Sequence, residues 1–152
     1  MTIQADVTIP AEREWAFQKV IDTYGRVDIL INNAGGSNGS TVAETDMEIF
    51  QRAFELNYFS AVHFSQLALP YMKAQQNGAI INISSIFGRE SGGKPTYNNA
   101  KAALISFTKA LSDEVIKEQI RVNGVAPGSI LHRRGTGSDV STKIQKKNSE
   151  LC

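Results

Sequence analysis

Apolar residues recur along the chain at two different periods, and the switches between them divide it into alternating strands and helices. Residues 27–32 (VDILIN) form a nearly continuous apolar run with β-branched side chains, which predicts a strand covered on both faces. Residues 79–84 (AIINIS) repeat that character, and residues 1–6 (MTIQAD) and 121–125 (RVNGV) predict shorter strands. Helical patterns lie between them. With Thr8 as cap and Pro10 in the first turn, the spacing predicts a helix over 11–24 that Gly25 ends. Thr45 and Glu48 form a capping-box pattern ahead of a long helical stretch over 47–75, in which Phe50, Phe54, Asn57, Tyr58, Ala61 and Phe64 recur on one face. Asn77 and Gly78 stop it, and residues 97–118 predict a further amphipathic helix. The order β-α-β-α-β-α-β implies an α/β fold: a parallel sheet with right-handed crossovers and helices on both faces. Ligands of such sheets bind beyond the carboxyl ends of the strands.

The pattern stops at Leu131. Residues 132–152 carry Arg133, Arg134, Lys143, Lys146 and Lys147 against only Asp139 and Glu150, with few aliphatic side chains. Such a segment buries too little apolar surface to offset the entropy of ordering, so a disordered basic tail is expected after one domain at 1–131. Composition adds exclusions. A formal charge of +1 over 152 residues provides no field for nucleic acid or an anionic membrane, and 41% hydrophobic residues suffice for one core. Cys152 is the only cysteine, which excludes an intrachain disulfide and a cysteine-cluster metal site and suits a reducing, cytoplasmic setting. Asp6, Glu12, Arg13, Glu14 and Lys19 interrupt the first twenty residues, so no apolar signal core is present, and no run reaches membrane-spanning length.

The candidate chemistry starts with Tyr97 and Lys101. Four residues apart at the start of a helix, they share a face and can meet. A phenol is a poor base at neutral pH, but a nearby ammonium stabilises its phenolate, which suits the pair to general acid–base work. Alone the spacing says little: with these numbers of tyrosines and lysines, chance produces it in about one chain of this size in four. Its company is what counts. Asn32-Asn33-Ala34-Gly35 ends one strand, Asn57 lies in the long helix, Ser84-Ser85-x-x-Gly88 ends the next strand, and Pro127-Gly128 ends the last. His63 and His132 have neither metal-ligand spacing nor a paired nucleophile and read as structural or exposed.

Through NNAG, LNYFS, NISSIFG, YNNAK and RVNGVAPGSI, in that order, the chain from about Ala5 to Ile130 resembles the short-chain dehydrogenase/reductase family. The resemblance implies a Rossmann-like doubly wound fold and hydride transfer between NAD or NADP and a small carbonyl or alcohol substrate. Under it Tyr97 is the general acid/base, Lys101 also grips the nicotinamide ribose, Ser85 holds the substrate oxygen, and Asn57 positions a water leading from Lys101 to solvent. The Ser-x-x-Gly turn selects Ser85, whereas the family's usual distance to the tyrosine selects Ser84; the turn glycine decides for Ser85. Asn33, Ala34 and Gly35 line the cofactor, Asp6 and Val7 sit at its adenine, and Pro127, Gly128 and Ile130 lie beside the nicotinamide amide. A homo-oligomer through the helices at 47–75 and 97–118 is also implied.

The resemblance is to part of the family's domain. The family's glycine-rich phosphate loop has no counterpart, since Gly35, Gly36 and Gly39 fail the G-x-G-x-x-G spacing. A partial NAD(P)-binding domain is therefore expected at 1–131, lacking the first βαβ portion and the last helix and strand. Residues 1–6 must then pair directly with 27–32 or leave that strand a bare apolar edge. Past PGSI, the segment HRRGTGSDVSTKIQKKNSELC departs from the family altogether, as a shifted reading frame or early stop would make it. Two other readings share these motifs: a 3-oxoacyl-carrier-protein reductase-like enzyme, and an inactive fragment that keeps only its dimer-forming helices.

Overall fold

A computed structural model describes residues 1–128. It contains helices α1 (Pro10–Tyr24), α2 (Met47–Phe54), α3 (Ser60–Gln75) and α4 (Pro95–Val115), and strands β1 (Ile29–Asn32), β2 (Gly78–Ile83) and β3 (Ile120–Val125). The strands form one parallel sheet in the order β1-β2-β3, with Asn32 opposite Asn82 and Ile83 opposite Val125. This is a parallel α/β sheet, as the alternation implies, and it has the Rossmann-like character that the resemblance implies.

Strand periodicity explains how the sheet packs. Along β2 and β3, Ile80, Asn82, Ile120 and Val122 point inward and are buried, and their neighbours are not. Met72 of α3, Leu111 and Val115 of α4, and Phe17 of α1 join Ile80, Ile120 and Val122 in one core cluster. All three helices therefore serve the same face. Ile29 and Ile31 on the opposite face are 63% and 58% exposed, so among the described residues the expectation of helices on both faces holds for one only. Inside the covered face runs a polar ladder. The Asn32 amide donates to Asn82 Oδ1 at 2.8 Å, and the Asn82 amide donates to Thr108 Oγ1 at 2.9 Å. Buried amides that lack partners are costly, so this chain of bonds fixes the register of β1 on β2 and hence where their following loops begin.

Several local expectations are corrected. Residues 1–6 form no strand; the Asp6 carboxylate accepts from both the Thr8 N–H and hydroxyl, closing a turn instead. β1 is accordingly left as an apolar edge. Thr8 does not cap α1: the N-cap is Ile9, and Pro10 at the first position needs no N–H partner. Thr45 does not cap α2 either, because its hydroxyl is spent on Thr41 O and Ser40 N; Asp46 is the N-cap, and Glu48 pairs with Arg52. The long helix is broken by a π-helical turn at Glu55–Phe59. β1 begins at Ile29 because the Gln75 side chain takes both main-chain groups of Val27. α4 starts two residues early, at Pro95. Residues 132–152, the expected tail, lie outside the described residues.

One-faced packing predicts an asymmetry between isoleucines one residue apart in register. Ile80→Ala empties a fully buried position and should cost about 2–5 kcal/mol of unfolding free energy. Ile31→Ala on the open face should cost under about 1 kcal/mol. Urea denaturation of both variants measures the contrast.

Candidate active site

The site assembles where β1 and β2 end. Beyond β1 the chain turns through Asn33, Ala34, Gly35 and Gly36, and this loop lies against α3's forerunner, the π-turn. A π-turn inserts an extra residue and re-aims its side chains. Here it directs Asn57, 1% exposed, at the loop: Asn57 Oδ1 accepts from Gly36 N at 3.0 Å, and its amide donates to Gly36 O and Ala53 O, each at 2.9 Å. All of the amide is engaged. Thr96, fully buried, ties the same loop to α4 by donating to Asn38 O at 2.5 Å.

Lys101 stands one turn after Tyr97 on α4 and is 2% exposed. Its ammonium donates to Ile83 O at the end of β2 at 2.8 Å and lies 5.7 Å from the Tyr97 ring centroid. Desolvation by burial lowers its pKa from the ordinary 10.5 to about 8. Gly35 is what lets the loop close over it. A Cβ at that position would sit 2.8 Å from Asn57 Oδ1 and 3.1 Å from Lys101 Nζ.

Beyond β2 the two serines part company. Ser84 is buried, and its hydroxyl donates to Lys101 O at 3.0 Å. The Ser85 hydroxyl accepts from Phe87 N at 3.2 Å, capping the 3₁₀ turn Ile86–Gly88, and its own proton meets no acceptor among the described residues. Gly88 completes the turn because it packs on the main chain of α4, where a Cβ would come within 2.9 Å of Lys101 C.

Asn33, Gly35, Ser85, Tyr97, Lys101, Pro127 and Gly128 together line one open cavity of about 450 Å³. Val7, Asn33, Ala34 and Asn57 line a smaller one of about 180 Å³ on the other side of the loop. Asp6 lines neither; its exposed carboxyl is held below the usual range by the bonds from the Thr8 main chain and hydroxyl. Ile130 lies outside the described residues. Ser84 lines the larger cavity as well, together with Gly36, Ser37, Ile83, Ile86, Phe87 and Gly93. Gly36 flanks NNAG and Ile83, Ile86 and Phe87 fall within NISSIFG, whereas Ser37 and Gly93 carried no sequence signal.

The family profile described as short chain dehydrogenase matches residues 1–142. The chain belongs to the short-chain dehydrogenase family. It is 40% identical over 112 residues to a 7alpha-hydroxysteroid dehydrogenase of Bacteroides fragilis, covering 71% of this chain and 43% of that protein. To a 3-oxoacyl-acyl-carrier-protein reductase of Thermotoga maritima it is 37% identical over 114 residues, covering 74% and 46%. Among solved structures, a short-chain dehydrogenase from Streptomyces avermitilis superposes with a TM-score of 0.82 at 34% identity, covering 87% of this chain and 50% of that one. The protein ElxO, solved with NADP bound, does so at 0.83 and 31% identity, covering 93% and 58%. The chain spans about half the length of the curated relatives it matches.

Lys101 makes stability depend on pH. The unfolded chain keeps a proton on this lysine to about pH 10.4, the folded chain only to about 8. Between those values the unfolded state binds more protons, so folding stability gains a contribution that rises with pH across the window. Chemical denaturation at pH 7.5 and 9.5 should show a steeper rise for the wild type than for Lys101→Met; equal slopes would contradict the burial of the charge.

Proposed function

We propose that this chain carries the proton-transfer half of an NAD(P)-dependent oxidoreductase site that interconverts a small carbonyl compound and its alcohol, with Tyr97 as general acid/base. The observation that carries the proposal is the convergence of Ser85, Tyr97 and Lys101 on one cavity beyond the carboxyl ends of β1 and β2. The Ser85 proton, which meets no acceptor among the described residues, suits the hydroxyl to donate to the substrate oxygen. Tyr97 then gives its proton to that oxygen in reduction, or takes it back in oxidation. Lys101 keeps its ammonium beside the ring and stabilises the phenolate that forms. Ser84 serves indirectly, by fixing the α4 main chain at Lys101. Asn57 holds the Gly36 main chain beside Lys101, and in this reading it also positions a water on the path from Lys101 to solvent.

The residues present fit the nicotinamide end of a dinucleotide: Gly35 leaves a floor without a side chain, and Lys101 and Tyr97 offer polar groups above it. Asn33, Ala34, Gly35, Pro127 and Gly128 complete the cradle; Val7, with Asp6 beside it, takes the adenine side. Bound NAD or NADP supplies or accepts the hydride. One structural relative was solved with NADP, which supports the cofactor class. The proposal extends to a cytoplasmic homo-oligomer. Phe54, Tyr58, Phe59 and Phe107 cluster between the π-turn and α4, and Phe59 is 47% exposed, which supports these helices as the contact. No helix among the described residues is long and apolar enough to cross a membrane.

Steady-state assays with NADH or NADPH and a panel of small ketones and aldehydes test the reading. Tyr97→Phe should lower kcat by about 100-fold or more while cofactor binding, followed by nicotinamide fluorescence, is unchanged. Full activity in Tyr97→Phe would remove it from the acid/base role, and absence of saturable NADH and NADPH binding by the whole chain would reject the cofactor.

A further inference from the structure

A second polar cluster lies outside the cavity. Arg13, on α1, is 3% exposed. Its Nη1 donates to Glu55 Oε1 at 2.7 Å and to Val7 O at 2.8 Å, and its Nε donates to His63 Nδ1 at 3.0 Å. His63 Nε2 in turn faces Glu14 Oε1 at 3.6 Å. One guanidinium thus joins the turn at residues 6–9, the π-turn and α3. Taking a cation out of water costs several kcal/mol before its partners offset it, and an apolar side chain often packs such a site at no loss. Directional bonds explain the choice better than stability does, because a fixed fork of donors sets the relative position of whatever it touches.

What it touches bears on both cavities. Val7 lines the smaller one with Asn33, Ala34 and Asn57. Glu55 precedes Asn57 by two residues within the π-turn, and Asn57 clasps Gly36 beside Lys101. We propose that Arg13 is a positioning residue of the cofactor site: it holds the Val7 carbonyl against the Glu55–Phe59 turn, so that the adenine-side turn and the nicotinamide-side loop move as one unit. The assignment of Val7 to the adenine rests on the proposed function above; the mechanical coupling does not. His63 brings α3 into the coupling, its Nδ1 accepting from Arg13 Nε at 3.0 Å.

Amide hydrogen exchange on the full chain, without nucleotide, tests the clamp. In Arg13→Met, the amides of Thr8, Ile9 and Gly36 should all exchange about tenfold faster or more, while amides of the α4 core around Leu104 keep their protection. Arg13→Lys, which reaches fewer acceptors, should restore part of the difference. Glu55→Gln keeps an acceptor for the guanidinium and guards against a misfolded Arg13 variant: it should loosen the same amides to a smaller degree. Faster exchange at Thr8 and Ile9 with Gly36 unchanged, in the Arg13→Met or the Glu55→Gln variant, would overturn the proposal. Added NADH should slow exchange at Thr8 and Gly36; coupled amides indifferent to NADH would show that the nucleotide reading fails and not the clamp.

Discussion

The burial of one ammonium group shapes everything around the site. Lys101 is buried at the edge of the cavity, and among the described residues its ammonium donates to one carbonyl, that of Ile83 at 2.8 Å. Such a cation is strained toward its neutral form, which is why its pKa falls to about 8. Three features of the surrounding chain follow from keeping it there. Position 35 has no room for a side chain, since Asn57 and Lys101 already fill the space. The helix before α3 must break regularity, because a π-turn is what brings the Asn57 amide onto the Gly36 main chain. The turn after Ser85 must end in glycine, because it packs on the main chain at Lys101. A charge confined in this way acts more strongly on any group that shares its cavity than it would in water.

The sheet supports this arrangement through polar bonds as much as through apolar packing. Asn32, Asn82 and Thr108 cross the covered face in a line, one from β1, one from β2 and one from α4. They link the strand ends that launch the Gly35 loop and the Ser84–Ser85 segment to the helix that carries Tyr97 and Lys101. Apolar contacts alone tolerate small slips; a hydrogen-bonded amide ladder does not.

Legibility differed with the range of the forces involved. The strands β1 and β2 and the helix α4 were readable because the apolar runs at 27–32 and 79–84 and the pattern across 97–118 each keep one character over several residues. The motif residues were readable as a group, and the structure brings Asn33, Gly35, Ser85, Tyr97, Lys101, Pro127 and Gly128 to one cavity. Residues 1–6 look like a strand locally, but a strand needs a neighbour, and Asp6 finds Thr8 instead. Thr8 and Thr45 look like caps because they precede helices, yet their hydroxyls bond within their own turns. No periodicity announces the π-turn, which adds one residue to a pattern that otherwise continues. Arg13 was invisible as a site residue because its partners, Val7, Glu55 and His63, are scattered along the chain and meet only after folding. The turn glycine selected Ser85 and the distance to Tyr97 selected Ser84; in the fold both line the cavity, the Ser84 hydroxyl donating to Lys101 O and the Ser85 hydroxyl accepting from Phe87 N.

The site depends on Lys101 being a buried cation with a weakened hold on its proton. Its side-chain Cε and Nζ signals, assigned against Lys101→Met and followed by NMR across pH 6 to 11, report that titration directly. A midpoint near 8, set apart from the exposed lysines, is the result predicted here. A midpoint at or above about 10, the value of a solvated lysine, would contradict it.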